Sequence, residues 1–189
     1  MSILNVTMQL LFYGWVLGEV VIAIATRTRR SKGGMHDRGT QLLLWVAIMV
    51  SFSVAGRVAK PAFEMPGSHF ALRSAALAMM VTGLVVRIVA IWTLGRAFSA
   101  NVAIRSEQRL MRSGLYSLVR HPSYLGIEII FLAAALWSHN WASAALILVF
   151  PTAAVLYRIH VEEIALKKAF GVEYEEYARV TKRLIPGVY

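Results

Sequence analysis

The sequence predicts an all-α, polytopic membrane protein with about five transmembrane helices and a helical C-terminal region on the cytoplasmic side. Three observations carry this expectation. Hydrophobic residues make up 58% of the 189 and the mean hydropathy is +0.59, too apolar for a soluble domain of this size. The apolar residues fall in long, almost uncharged runs, several of them of the length a helix needs to cross a hydrocarbon core. The Lys and Arg residues divide unequally between the connections. Sixteen lie in the first loop, in the stretch 95–120 and in the tail, against three (Arg57, Lys60 and Arg73) on the opposite side. Basic connections stay cytoplasmic, which places the N-terminus outside and the tail inside.

The first apolar segment runs from about Met8 to Thr26, with Glu19 as its lone ionisable residue, and ends in Arg27, Arg29, Arg30 and Lys32. No basic region precedes it and no small-residue cleavage site follows, so no cleavable signal peptide is expected. The second runs from about Thr40 to Gly56, and the connection after it holds Pro61 and Pro66. The third, about Ala71 to Leu94, carries Arg87 inside it. A polar stretch, Gly95 to Arg120, leads into a short fourth segment, about Ser123 to Trp137. Ser138-His139-Asn140 is a tight turn, and a fifth segment runs from Trp141 to about Tyr157 with Pro151 inside it, where a kink is expected. Segments four and five form a helical hairpin that need not cross the bilayer fully. From Arg158 the chain alternates charge at helical spacing and reads as one or two solvent-facing helices. There is no internal repeat.

The absence of cysteine excludes disulfides, thiolate catalysis and Cys-ligated metals. The net charge of +10 belongs to cytoplasmic loops facing anionic lipid rather than to nucleic-acid binding. No Walker loop and no Gly-x-Gly-x-x-Gly follow a strand, and no His-x-x-x-His spacing points to a metal. Two charges lie within apolar segments. Glu19 and Arg87 each sit seven residues from the cytoplasmic end of their segment, at matching depth. Intramembrane charges pair or line a cavity, so the two read either as a structural ion pair or as the polar wall of a lipid-facing pocket, with Glu128, one turn into segment four, in reach of the same cluster. The polar chemistry otherwise concentrates at Arg120-His121-Pro122-Ser123-Tyr124 and at Arg158 and Glu162, which share a helix face. Structurally, that last pair is a surface ion pair worth under about 1 kcal/mol. Functionally, a guanidinium at the membrane boundary can grip a carboxylate through two parallel hydrogen bonds. His36, His69, His139 and His160 read as loop or interface residues.

Two separated groups of residues resemble the isoprenylcysteine carboxyl methyltransferase family and its bacterial and archaeal members. The first is Leu94-Gly95-Arg96, then Gly114-Leu115-Tyr116, then Arg120-His121-Pro122-Ser123-Tyr124-Leu125-Gly126. The second is Arg158-x-x-x-Glu162-Glu163, then Phe170-Gly171-x-Glu173-Tyr174-x-x-Tyr177, then Arg183-Leu184-Ile185-Pro186. The resemblance implies one integral membrane methyltransferase domain, with 1–93 as N-terminal transmembrane helices and 94–189 as the cofactor-binding catalytic half. It implies S-adenosylmethionine held in a cytoplasmic helical pocket, with contacts falling on Asn101, Gln108, Arg109, Leu110, Met111, Tyr116, His121, Pro122, Ser123 and Tyr124. Glu162 would face the cofactor and Arg158 the substrate, the two forming the catalytic pair, with no metal. Gln108 stands where family members often have His. The partners implied are a lipophilic substrate and the bilayer itself.

Two substrate classes stay open, the carboxylate of a prenylated cysteine or similar amphiphile, and another lipophile such as a phospholipid amine, a hydroxyl or a thiol. Two other classes of function compete: a membrane reductase of the sterol-reductase kind using NADPH, and a non-catalytic membrane scaffold.

Overall fold

The computed structural model describes residues 3–25, 39–95 and 110–189. Among them are six helices: α1 (Ile3–Ala25), α2 (Thr40–Val58), α3 (His69–Leu94), α4 (Pro122–Trp137), α5 (Trp141–Phe170) and α6 (Val172–Val180). Short 3-10 turns cover Pro61–Phe63 and Gly114–Ser117. The protein is an all-α, polytopic membrane protein. Four helices, α1, α2, α3 and α5, are long and apolar enough to cross a membrane. Helix α4 is apolar but only 16 residues long, about 24 Å at 1.5 Å per residue.

Local chemistry sets the ends of these helices. Ser68 caps α3, its hydroxyl accepting from the Ala71 amide, and Asn140 caps α5, its Oδ1 accepting from the Ser143 amide at 3.2 Å. Both side chains satisfy donors that a helix start leaves without partners. Pro122 begins α4, where its missing N–H costs nothing and its fixed φ suits the first helical turn. Helix α5 stops at Gly171, whose φ of 54° a residue with a Cβ adopts only under strain.

Where the sequence reads as a fifth segment followed by a separate solvent-facing tail, α5 instead continues without a break for 30 residues, through Arg158 to Phe170. Its distal part is not simply solvated. Arg158, Ile159, Val161, Glu163 and Ala165 are all buried, and α6 buries Tyr174 and Tyr177. The alternating charges lie on the rim of a face that docks back on the protein.

The helices pack as α1 on α3, α3 on α4, α4 on α5 and α5 on α2. Met80, Ile130, Phe131 and Val155 form the fully enclosed centre. In a bilayer, apolar side chains gain little by leaving lipid, so helix association depends on close packing and polar contacts. Both are present. A Cβ at Gly83 would lie 2.8 Å from the Gly126 carbonyl oxygen, and one at Gly126 would lie 2.8 Å from the Arg87 amide nitrogen. The α3 and α4 backbones therefore touch. Most large residues of α1 face outward, Leu10, Leu17 and Ile24 among them.

Glu19 and Arg87 form the structural ion pair, in bidentate geometry. Arg87 Nε donates to Glu19 Oε1 and Nη2 to Oε2, both at 2.8 Å. Trp15 Nε1 adds a bond to Oε1 at 3.1 Å. The third guanidinium nitrogen, Nη1, donates to the carbonyl and to the hydroxyl of Ser123 at the start of α4. Glu128 stands apart from this cluster. Its Oε2 accepts from Thr152 Oγ1 at 2.7 Å across the α4–α5 contact.

Breaking the Glu19–Arg87 pair leaves one charge buried alone. Glu19→Ala or Arg87→Ala is expected to destabilise the protein by about 3–5 kcal/mol. Glu19→Gln combined with Arg87→Met should cost clearly less than the two single losses added together. Unfolding in detergent, run as a double-mutant cycle, checks this, and additive losses would show that the pair contributes no coupling.

Candidate active site

The site is built where the Arg-His-Pro turn, the mouth of α5 and the C-terminal tail meet. The turn Gly114–Ser117 brings Tyr116 inward, buried to 7% exposure. The next residues pair with the tail. Val119 bridges to Lys182 in parallel, the Arg120 amide donates to the Lys182 carbonyl at 2.7 Å, and the His121 amide donates to that of Arg183 at 3.0 Å. Two extended segments about sixty residues apart are thus sewn together by backbone bonds.

Glu163 is the ionic centre of this join. Its Oε1 accepts from Arg120 Nε at 3.0 Å. Its Oε2 accepts from Arg183 Nε at 2.9 Å, with Nη2 at 2.8 Å. His121 Nε2 lies 3.5 Å from Oε1. Arg120 Nη1 also donates to the carbonyls of Ala178 and Thr181. One carboxylate therefore joins the turn before α4, helix α5 and the extended segment after α6. Tyr177 donates to the Tyr116 carbonyl at 2.6 Å, and burial pushes its hydroxyl up to about 12. It acts as a neutral hydrogen-bond donor. Arg112, whose guanidinium lies over the Tyr177 ring at 5.9 Å, ties the start of this region to α6.

The residues expected to contact a cofactor or substrate fall into three groups. Asn101, Gln108 and Arg109 lie outside the described residues. Leu110 and Met111 are half-buried at the start of the next described stretch. Tyr116, His121, Pro122 and Ser123 are buried beside the tail, with Tyr124 half-buried. Of these, Ser123 is engaged by Arg87 from the membrane side. Tyr124 is engaged by Arg158, whose Nε donates to the tyrosine hydroxyl at 2.8 Å.

Arg158 and Glu162 are one turn apart on α5 but do not form the surface pair that their spacing suggests. Arg158 is 4% exposed, and its Nη1 donates to Thr40 Oγ1 at 2.8 Å. Glu162 turns its Oε2 toward His121 Nδ1, 3.9 Å away. That oxygen is buried and has no hydrogen-bond partner among the described residues, as is also true of Tyr174 Oη. No cluster of three His, Asp or Glu side chains able to hold a metal occurs among the described residues. Successive turns of α5 thus carry a held guanidinium and a buried carboxylate oxygen that has no hydrogen-bond partner among the described residues.

The sequence marks Arg120, Glu163 and Arg183 only as members of the polar turn or of the family-like motifs, and not as one ionic cluster. The only available signal for Glu163 was its position beside Glu162 in the family-like motif. Nothing local marks Thr40.

A sequence model of the isoprenylcysteine carboxyl methyltransferase family matches residues 76–168, from within α3 to near the end of α5. Protein-S-isoprenylcysteine O-methyltransferase B of Arabidopsis thaliana is 34% identical over 146 residues, covering 75% of this chain and 74% of that protein. The chain belongs to the isoprenylcysteine carboxyl methyltransferase family. It is a methyltransferase of that type. Protein-S-isoprenylcysteine O-methyltransferase A of Arabidopsis thaliana is 34% identical over 122 residues, 64% of this chain and 62% of that protein. The protein-S-isoprenylcysteine O-methyltransferase of Schizosaccharomyces pombe is 30% identical over 128 residues, 67% of this chain and 54% of that protein. The chain thus spans from about half to three quarters of the length of these family members. The part matched by the family model contains Arg87, His121, Tyr124, Arg158, Glu162 and Glu163.

Proposed function

We propose that this protein transfers a methyl group from S-adenosylmethionine to the carboxylate of a lipophilic acceptor, a prenylated cysteine or a similar amphiphile, at the cytoplasmic face of the membrane. The observation that carries the proposal is the placement of Arg158, held at the mouth of α5, one turn from Glu162 Oε2, which is buried and has no hydrogen-bond partner among the described residues. The named acceptors of the relatives end in such a carboxylate, and the sixteen-to-three bias of Lys and Arg supports the cytoplasmic placement.

The residues present fit the methyl donor. Burying a carboxylate oxygen without a partner is costly, and Glu162 Oε2 has none among the described residues, so a cationic or donor group of a ligand would suit it. The positive sulfur and amino group of S-adenosylmethionine supply that character. His121, Tyr116 and the half-buried Leu110 and Met111 would form the rest of its surroundings, in one domain formed by the whole chain. When bound, the donor supplies a methyl carbon that the acceptor oxygen attacks as the carbon–sulfur bond breaks toward sulfur, giving a methyl ester and a neutral thioether. The residues' part in this is to position and to exclude water. Arg158 would take the acceptor carboxylate through its guanidinium and fix the attacking oxygen. Glu162 would stabilise positive charge in the ground state and lose that attraction as the charge is spent. A carboxylate nucleophile carries no proton to remove, so no general base is needed.

Sealed vesicles of opposite orientation test the proposal. The methyl-labelled donor, which does not cross membranes, is added outside with a synthetic N-acetyl S-prenyl cysteine. Label should enter lipid-soluble product only in inside-out vesicles and should be released as methanol by mild base, as an ester requires. Product formed in right-side-out vesicles would overturn the cytoplasmic placement. Base-stable label would transfer the activity to an amine, hydroxyl or thiol acceptor.

A further inference from the structure

We infer that Thr40 is a positioning residue for the acceptor site, acting through Arg158. The inference rests on the reading of Arg158 given above and adds a residue from the N-terminal half of the chain to that site. Thr40 opens α2, is 1% exposed, and accepts a 2.8 Å hydrogen bond from Arg158 Nη1 across 118 residues of sequence. Tyr124, from α4, accepts from Nε of the same guanidinium, also at 2.8 Å. Two hydroxyls on two different helices thus fix the plane of one planar cation. The two hydroxyls hold two separate nitrogens of the guanidinium, and so set its orientation at the mouth of α5.

The height of Thr40 is itself set by helix packing. At the other end of the α2–α5 seam, Ser143 donates to the Ala55 carbonyl at 2.7 Å. Fifteen residues separate Thr40 from Ala55 and fifteen separate Ser143 from Arg158, so the two bonds share one antiparallel register. About 22 Å of helix lies between them. Sliding α2 along α5 breaks both at once. The hydroxyl at residue 40 therefore reports the α2–α5 register directly to the guanidinium. A Thr in the first turn of a helix ordinarily satisfies nearby backbone groups; here its oxygen is spent on a distant cation.

The test compares Thr40→Val, which keeps the branched shape and removes the hydroxyl, with Thr40→Ser, which keeps the hydroxyl. For Thr40→Val, kcat/KM for N-acetyl S-prenyl cysteine should fall about tenfold or more, the loss of one hydrogen bond to a charged group. S-adenosylhomocysteine affinity should stay within about twofold of wild type, and Thr40→Ser should restore most of the activity. In the Arg158→Ala background, Thr40→Val should cause no further loss. Wild-type kinetics for Thr40→Val, or losses that multiply with those of Arg158→Ala, would overturn the inference. So would a Thr40→Ser variant as impaired as Thr40→Val. If Arg158→Ala alone leaves methylation intact, the reading of Arg158 fails instead, and the two failures are distinct.

Discussion

Arg158→Ala is expected to lower single-turnover methylation of a carboxylate acceptor by roughly a hundredfold or more, while S-adenosylhomocysteine still binds. On the proposed reading the acceptor loses both its counter-charge and its alignment, while the turn and the tail, proposed to surround the cofactor, stay in place. Arg158→Lys should recover little. An ammonium has no planar fork, and a lysine nitrogen cannot keep the separate Nε and Nη1 bonds to Tyr124 and Thr40. Glu162→Ala should show the reverse pattern, with weaker cofactor binding from loss of the buried oxygen beside His121. Affinity and single-turnover rate, measured side by side on the three variants, decide the matter. Near wild-type turnover in Arg158→Ala on every accepted substrate would end the carboxylate-clamp mechanism and favour a neutral nucleophile.

Glu163→Ala is expected to be the most damaging change outside the membrane core. Glu163 and Arg120 have side chains only 7% and 10% exposed. Removing the carboxylate leaves Arg120 buried beside His121 and Arg183 without the anion that joins all three. Loss of one partner from such a buried group costs about 3–5 kcal/mol. The tail should undock, since Arg120 also carries the Ala178 and Thr181 carbonyls. We expect a lowered midpoint of unfolding in detergent, new proteolytic cleavage near Thr181, and weakened S-adenosylhomocysteine binding. Glu163→Gln keeps an acceptor oxygen and should fall between wild type and alanine. A Glu163→Ala protein with wild-type stability and an uncleaved tail would reduce the cluster to a surface decoration.

The parts of this structure that were legible in the sequence are those where the bilayer forbids alternatives. Apolar runs longer than about 17 residues have to be helices, and their observed limits fall within a few residues of the expected ones, except at α5. Glu19 and Arg87 were legible as a pair for the same reason: two opposite charges at one depth in lipid have few other partners. The tail was not legible. Its charges repeat at the spacing of a solvated helix, and that spacing is the same whether or not the helix docks. What docks it is distant in sequence. Arg120 and Arg183 reach Glu163 across 43 and 20 residues, a relation no local window contains. Arg158 likewise reaches Thr40 on α2 and Tyr124 on α4, because burial at the mouth of α5 turns it inward. The roles of Asn101, Gln108 and Arg109 stay at the level of family resemblance.

The backbone contact between Gly83 and Gly126 bears on how such a protein can change its substrate over evolutionary time. Neither position has room for even a methyl group, because the atoms opposite are main-chain atoms that cannot turn aside. Gly83 lies one turn before Arg87 and Gly126 one residue past the Tyr124-Leu125 step, so the spacing of α3 and α4 is inherited by every residue at the start of α4. This chain cannot widen the space between these two helices a little at a time, because the first step, glycine to alanine, already sets a Cβ 2.8 Å from main-chain atoms of the facing helix. On the proposed reading, a new acceptor is therefore accommodated by exchanging side chains elsewhere, with the separation of α3 and α4 left as a fixed dimension of the protein.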